Sequence, residues 1–173
     1  MSKTIRFIFF ISIIFLVEDI QAQRLGFLPS KTNWQQLRHD SLRIIYPEGS
    51  EATARRVASL MLKFAAVDPI AKESRYTPIN VVLQPHTNVS NGYVGLAPYV
   101  SEFYIQPNEN PFELGSLPWA DLLAIHEYRH VQQVNAVNTG ISHIVKVIFG
   151  ELAFSGMYGL ATANWLREGD AVY

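Results

Sequence analysis

Ala124-Ile125-His126-Glu127-Tyr128-Arg129-His130-Val131 is the stretch around which the chain is organised. Two histidines four residues apart on a helix project from one face. Four steps of about 100° overshoot a full turn by only about 40°. Both imidazoles can therefore reach one tetrahedral metal ion. Glu127 lies about 100° round the helix from His126, which suits a flanking base better than a third ligand on the same line.

Working outward, the helix carrying this stretch is expected over Trp119 to Val137, entered through Pro118 and ended by Asn138-Thr139-Gly140. On a helical wheel Trp119, Leu123, His126, His130, Val134 and Val137 share one face. Asp121, Tyr128, Gln132 and Asn135 cluster opposite. This projection puts the histidines in the middle of the buried stripe. A pair of hydrogen-bonded core histidines is the bland alternative, but two at this spacing with Glu after the first favour a metal.

Upstream, residues 24–41 carry no clear pattern; Trp34 and Leu37 are candidates to pack on the domain, and His39 reads as a surface residue. Leu42-Arg43-Ile44-Ile45-Tyr46 reads as a strand stopped by Pro47-Glu48-Gly49. Ser50 is placed to cap a helix over 51–67, whose Val57, Leu60, Met61 and Phe64 recur at helical spacing. Ile79 to Gln84 reads as a second strand. His86, in the polar loop that follows, reads as solvated. Tyr93–Pro98 and Glu102–Gln106 read as two more strands, and residues 107–118 as a connection. The expected fold class is α+β: a small mixed, mostly antiparallel sheet packed on helices.

Downstream, residues 141–163 are apolar and rich in small residues. Lys146, Glu151 and the glycines argue against a membrane span. Close helix packing, or a buried segment beside the site, is the expectation, and membrane contact is not expected. His143 lacks the spacing to join the other two histidines. Asn164 to Tyr173 reads as the start of a further helix, so the chain is expected to be a fragment truncated at its C-terminus.

Composition limits the function classes. The chain has 173 residues, a formal net charge of −1, 49% apolar and 17% charged residues, and no cysteine. No basic stripe offers a footprint for nucleic acid. Cysteine ligands, a disulfide scaffold and a lipidated cysteine are excluded. At the N-terminus, Lys3 and Arg6 precede an apolar run from Phe7 to Val17, followed by Gln21-Ala22-Gln23. This reads as a signal peptide over residues 1–22 cleaved after Ala22, with residues 23–173 forming one exported domain, periplasmic or extracellular. The run is shorter than the roughly 20 residues of a spanning helix.

Catalytic zinc takes three protein ligands. His126 and His130 give two, and Glu151, Glu168 and Asp170 are the downstream carboxylates. Glu168 is the expected third, because Trp165-Leu166 offers an apolar anchor before it and Gly169 close-packing space after it. Its plainer reading is a solvated helical Glu paired with Arg167.

His126-Glu127-x-x-His130 followed by Trp165-Leu166-Arg167-Glu168-Gly169-x-Ala171-x-Tyr173 resembles the gluzincin metallopeptidases. It is most similar to their exported peptidase MA-like branch, which includes catalytic domains joined to a TolB-like β-propeller in Gram-negative bacteria. The resemblance runs from the strand at Leu42 to the C-terminus. It implies a zincin-like fold, Zn2+ on His126, His130 and Glu168, and Glu127 as general base. A peptide or protein substrate is implied, and so is a C-terminal propeller-like domain outside this chain. The strand around Glu102–Gln106 would be the sheet edge beside the cleft, where substrate adds as a strand. Tyr173 is the one nearby candidate for the oxyanion donor, and a residue past the C-terminus of this chain is an equal alternative.

Two positions depart from the pattern. Arg129 puts a charge inside the motif. Val172 stands where some gluzincins carry an Asp that orients a histidine, which leaves the histidines' own partners unassigned. The expected function is an exported zinc metallopeptidase. A non-catalytic envelope binding or assembly module of the same fold is the alternative. The polarity of Asp121, Arg129, Gln132, Gln133 and Asn135 argues against an intramembrane protease.

Overall fold

The structure is a computed structural model that describes residues 31–69, 71, 76–107 and 117–172. The signal-peptide reading over residues 1–22 and the Tyr173 assignment lie outside these residues. Among the described residues five strands and four helices follow in the order β1 (Trp34–His39), β2 (Leu42–Pro47), α1 (Glu51–Val67), β3 (Ile79–Gln84), β4 (Ser90–Leu96), β5 (Tyr99–Ile105), α2 (Trp119–Val137), α3 (Gly140–Ala161) and α4 (Asn164–Val172). The class is α+β, as the sequence led us to expect.

The sheet order is β1-β2-β3-β5-β4. The β1–β2 and β4–β5 pairs are antiparallel, whereas β2–β3 and β3–β5 are parallel. The sheet is thus mixed in equal parts rather than mostly antiparallel. The reason lies in the connections. Two tight turns, at Asp40-Ser41 and Ala97-Pro98, make hairpins, while α1 carries the chain from β2 to the parallel β3. Strand β1 was not expected. Its side chains are mostly exposed, so it has little apolar alternation to announce it.

One face of the sheet is apolar at alternate positions. Leu42 and Ile44 of β2, Ile79, Val81 and Leu83 of β3, and Tyr99 and Phe103 of β5 are buried there. They form one core with Ala54, Val57 and Met61 of α1 and Leu123, Ala124 and Val131 of α2. Polar contacts fix the two helices in register. Arg56 of α1 donates to both oxygens of the buried Asp121 at 2.6 Å each. Trp119 Nε1 donates to the Tyr104 carbonyl at 2.8 Å. Asn135 accepts from the Thr77 amide at 2.9 Å and donates to the Tyr99 hydroxyl at 3.2 Å.

Helix α3 differs from expectation. Ile141, Ile144, Val147, Ile148, Phe149, Leu152 and Leu160 are exposed, and only Ser142, Phe154 and Tyr158 are buried. A Cβ added at Gly156 or Gly159 would meet nothing within 4 Å, so these glycines do not serve close packing. Gly150 breaks the helix with φ +83°, a left-handed conformation that glycine takes without steric cost. Among the described residues α3 is the one helix long and apolar enough to cross a membrane, by length and composition alone.

Candidate metal centre

The buried flank of α2 is not the one its hydropathy suggests. Asp121, Leu123, Ala124, Glu127, Tyr128, Val131, Val134 and Asn135 are buried. The centre of that flank lies about 140° round from His126. The histidines sit at its margin, where a cleft of about 680 Å³ opens between α2, α4 and β4. Tyr128 and Asn135, expected to face solvent, are inside because they find polar partners there. Tyr128 donates to Asp68 at 3.3 Å, and Asn135 makes the contacts given above.

His126, His130 and Glu168 converge. The two Nε2 atoms are 3.1 Å apart. Glu168 Oε2 lies 3.5 Å from His126 Nε2 and 3.6 Å from His130 Nε2. Donor atoms about 2.0–2.2 Å from one ion at tetrahedral angles stand about 3.3–3.6 Å from one another. The two distances to Glu168 fall in or at the edge of that range and the one between the histidines is slightly shorter, so the group could hold a metal ion. Burial and the neighbouring His130 ring lower the proton affinity of His126, against the pull of Glu168. A neutral imidazole is the form that ligates.

Glu127, one residue on, is 2% exposed and lines the inner wall of the same cleft. Its Oε2 has no hydrogen-bond partner among the described residues. Burial, reinforced by the charge of Glu168, raises its pKa to about 8. Strand β4 passes directly over it. A Cβ at Gly92 would stand 2.8 Å from Glu127 Oε1 and 2.7 Å from Leu123 Cδ2, so any larger residue would force both side chains to shift.

The expected edge strand is corrected. β5, with Glu102, is interior, hydrogen-bonded to β3 on one side and β4 on the other. The hairpin at Ala97-Pro98 makes β4 the sheet edge, and Asn91, Gly92 and Tyr93 of β4 line the cleft.

The other candidates have different duties. Glu151 accepts from the Tyr99 amide at 3.0 Å. His143 contacts Asn138 Oδ1 at 3.1 Å. His39 and His86 are exposed. Asp170 accepts two hydrogen bonds from Arg129, each 2.9 Å, and one from Gln133 Nε2 at 2.7 Å. Glu168 joins the two histidines, but not through the apolar anchor and close packing expected of its neighbours. Trp165 is 77% exposed and anchors nothing, and Gly169 borders open space. Polar contacts carry α4 instead.

Sequence reasoning left Gln133 and Gly92 without roles and weighed Asp170 only as a metal ligand. The spacing of Gln133 three residues after His130 puts it within reach of that ring and was the available signal.

Comparison with protein-family models, curated proteins and solved structures finds no match for this chain. Its fold and site define an α+β protein with a His-His-Glu group able to hold a metal ion beside a buried carboxylic acid.

Proposed function

We propose that the chain is the catalytic domain of an exported zinc metallopeptidase, with His126, His130 and Glu168 holding the ion and Glu127 as general base. One observation carries the reading: three ligand atoms 3.1–3.6 Å apart stand beside a buried, unpartnered carboxylate oxygen in an open cleft. Two imidazoles and a carboxylate are a donor set that catalytic zinc takes. Bound there, the ion supplies Lewis-acid polarisation of a carbonyl and lowers the pKa of water.

Glu127 takes the proton from the attacking water at its unpartnered oxygen and returns it to the leaving amine. Burial raises the Glu127 carboxyl in the metal-free chain, and the charge of a bound cation would draw it back toward the carboxylate form that accepts a proton. The outer edge of β4, unpaired among the described residues, gives an extended peptide a strand to pair with along the cleft. Export rests on the N-terminal Lys3, Arg6 and the apolar run from Phe7 to Val17.

The purified protein is expected to hold one zinc ion per chain. Glu127→Gln should keep the ion and lose about 10²–10⁴-fold in peptide hydrolysis. His126→Ala should lose the ion. A chain that arrives without zinc and is not stabilised by adding it defeats the proposal.

The exposed apolar face of α3 supports a second reading, a non-catalytic envelope binding or assembly module of the same fold. Zinc-loaded protein that cleaves nothing in a peptide library would favour this one.

A further inference from the structure

The third ligand rides on a short helix with almost no apolar attachment. Ala171 is the one buried residue of α4, and Trp165, Leu166 and Val172 are all more than half exposed. Hydrogen bonds from α2 hold it instead. Arg129 Nε and Nη2 each donate to Asp170 at 2.9 Å, a two-pronged contact. Gln133 Nε2 donates to Asp170 Oδ2 at 2.7 Å and to the Arg167 carbonyl at 3.0 Å. Asp170 and Arg167 flank Glu168 in sequence, so these contacts set where its carboxylate stands.

The same Gln133 also touches the metal group from behind. Its Nε2 faces a carboxylate and a carbonyl, both of which only accept hydrogen bonds. A flipped amide would set oxygen against oxygen at both places, so the orientation is determined by its partners. Gln133 Oε1 is then the atom 3.0 Å from His130 Nδ1. An amide oxygen can only accept, so His130 Nδ1 carries the proton. In the neutral ring the lone pair is therefore on Nε2, the atom that faces His126 and Glu168.

We propose that Arg129, Asp170 and Gln133 are one positioning device, which docks the helix of the third ligand onto α2 and at the same time fixes His130 as the tautomer that ligates through Nε2. It gives a duty to the charge inside the His-Glu-x-x-His motif. It also supplies, from Gln133 within the same helix, the histidine partner that Val172 does not provide. Removing Gln133 breaks both functions at once, whereas removing Arg129 loosens only the docking.

The inference rests on the metal reading above, and the experiment separates the two. Zinc affinity is measured by competition with a chelator, and the imidazole nitrogens of the metal-free protein are observed by ¹⁵N NMR. A parent protein that binds no zinc defeats the metal reading itself. Given a parent that binds, Gln133→Leu should weaken zinc binding by about 10–100-fold, the range found when a ligand's hydrogen-bond partner is removed. His130 should also lose its preference for a proton on Nδ1, with the metal-free melting temperature unchanged. Asp170→Ala removes the Arg129 contact together with one from Gln133, so it should weaken binding at least as much as Arg129→Ala, and the double variant should be no weaker than Asp170→Ala alone. Should Gln133→Leu destabilise the metal-free fold, Asp170→Asn, at an exposed and nearly isosteric position, carries the test. Parent-like zinc affinity in Asp170→Asn, or a parent-like His130 tautomer in Gln133→Leu, overturns the device.

Discussion

Helices α2 and α4 both bring ligands to the same centre, but they are held by opposite means. α2 buries a broad flank against the sheet and α1, with Leu123, Ala124 and Val131 in the core. α4 buries Ala171 and otherwise depends on solvent-accessible polar contacts. The Arg129 and Asp170 side chains that dock it are 46% and 40% exposed. The difference teaches that His126 and His130 are positioned by the fold itself, whereas Glu168 is positioned by a local clamp worth little to global stability.

Three measurements on the metal-free protein test that contrast. The largest effect should come from Glu127, in the buried flank. Its pKa is raised from 4.5 to about 8 by burial and by Glu168. Between those values the folded chain keeps a proton that the unfolded chain has released. The associated stability is complete below the lower value and is lost as pH rises toward the upper one. The loss is on the order of 5 kcal/mol if the whole shift is realised. Chemical denaturation across that window should show the slope, and Glu127→Gln should remove it. A parent whose stability is flat across the window would show that Glu127 is not held in a dry site.

Next in size, Leu123→Ala should cost about 2–5 kcal/mol, because it leaves a cavity in the core that α2 shares with the sheet. A cost below about 1 kcal/mol would remove the claim that packing holds α2. Smallest of the three, Leu166→Ser on the exposed side of α4 should change stability by no more than about 0.5 kcal/mol. A larger loss in the same denaturation experiment would mean that α4 has an apolar attachment after all.

Much of the local structure could be read in the sequence, because local periodicity carries it. Helical spacing of apolar residues placed α1 over 51–67 and α2 over Trp119–Val137, and the Pro and Gly punctuation marked the ends of β2 and β3. The i, i+4 histidines are legible for the same reason, since their juxtaposition needs only one turn of helix. The buried flank of α2 was misjudged, because hydropathy treats Asp121, Tyr128 and Asn135 as surface residues. Their partners Arg56, Asp68 and Thr77 are 65, 60 and 58 residues away in the chain. A wheel cannot see a hydrogen bond that forms only when the chain returns. β1 was missed because an edge strand with exposed side chains lacks a two-residue hydropathy period.

What the sequence determined by itself is a pair of histidines and a glutamate on one helix, with a carboxylate downstream able to join them. The sequence also favoured Glu168 among those carboxylates; only the tertiary structure decided which strand edges the cleft and which carboxylate Arg129 pairs with. Those answers depend on contacts such as Arg129 to Asp170, 41 residues apart. Local spacing sets the direction of side chains along one helix, and only the packed chain sets which helices meet.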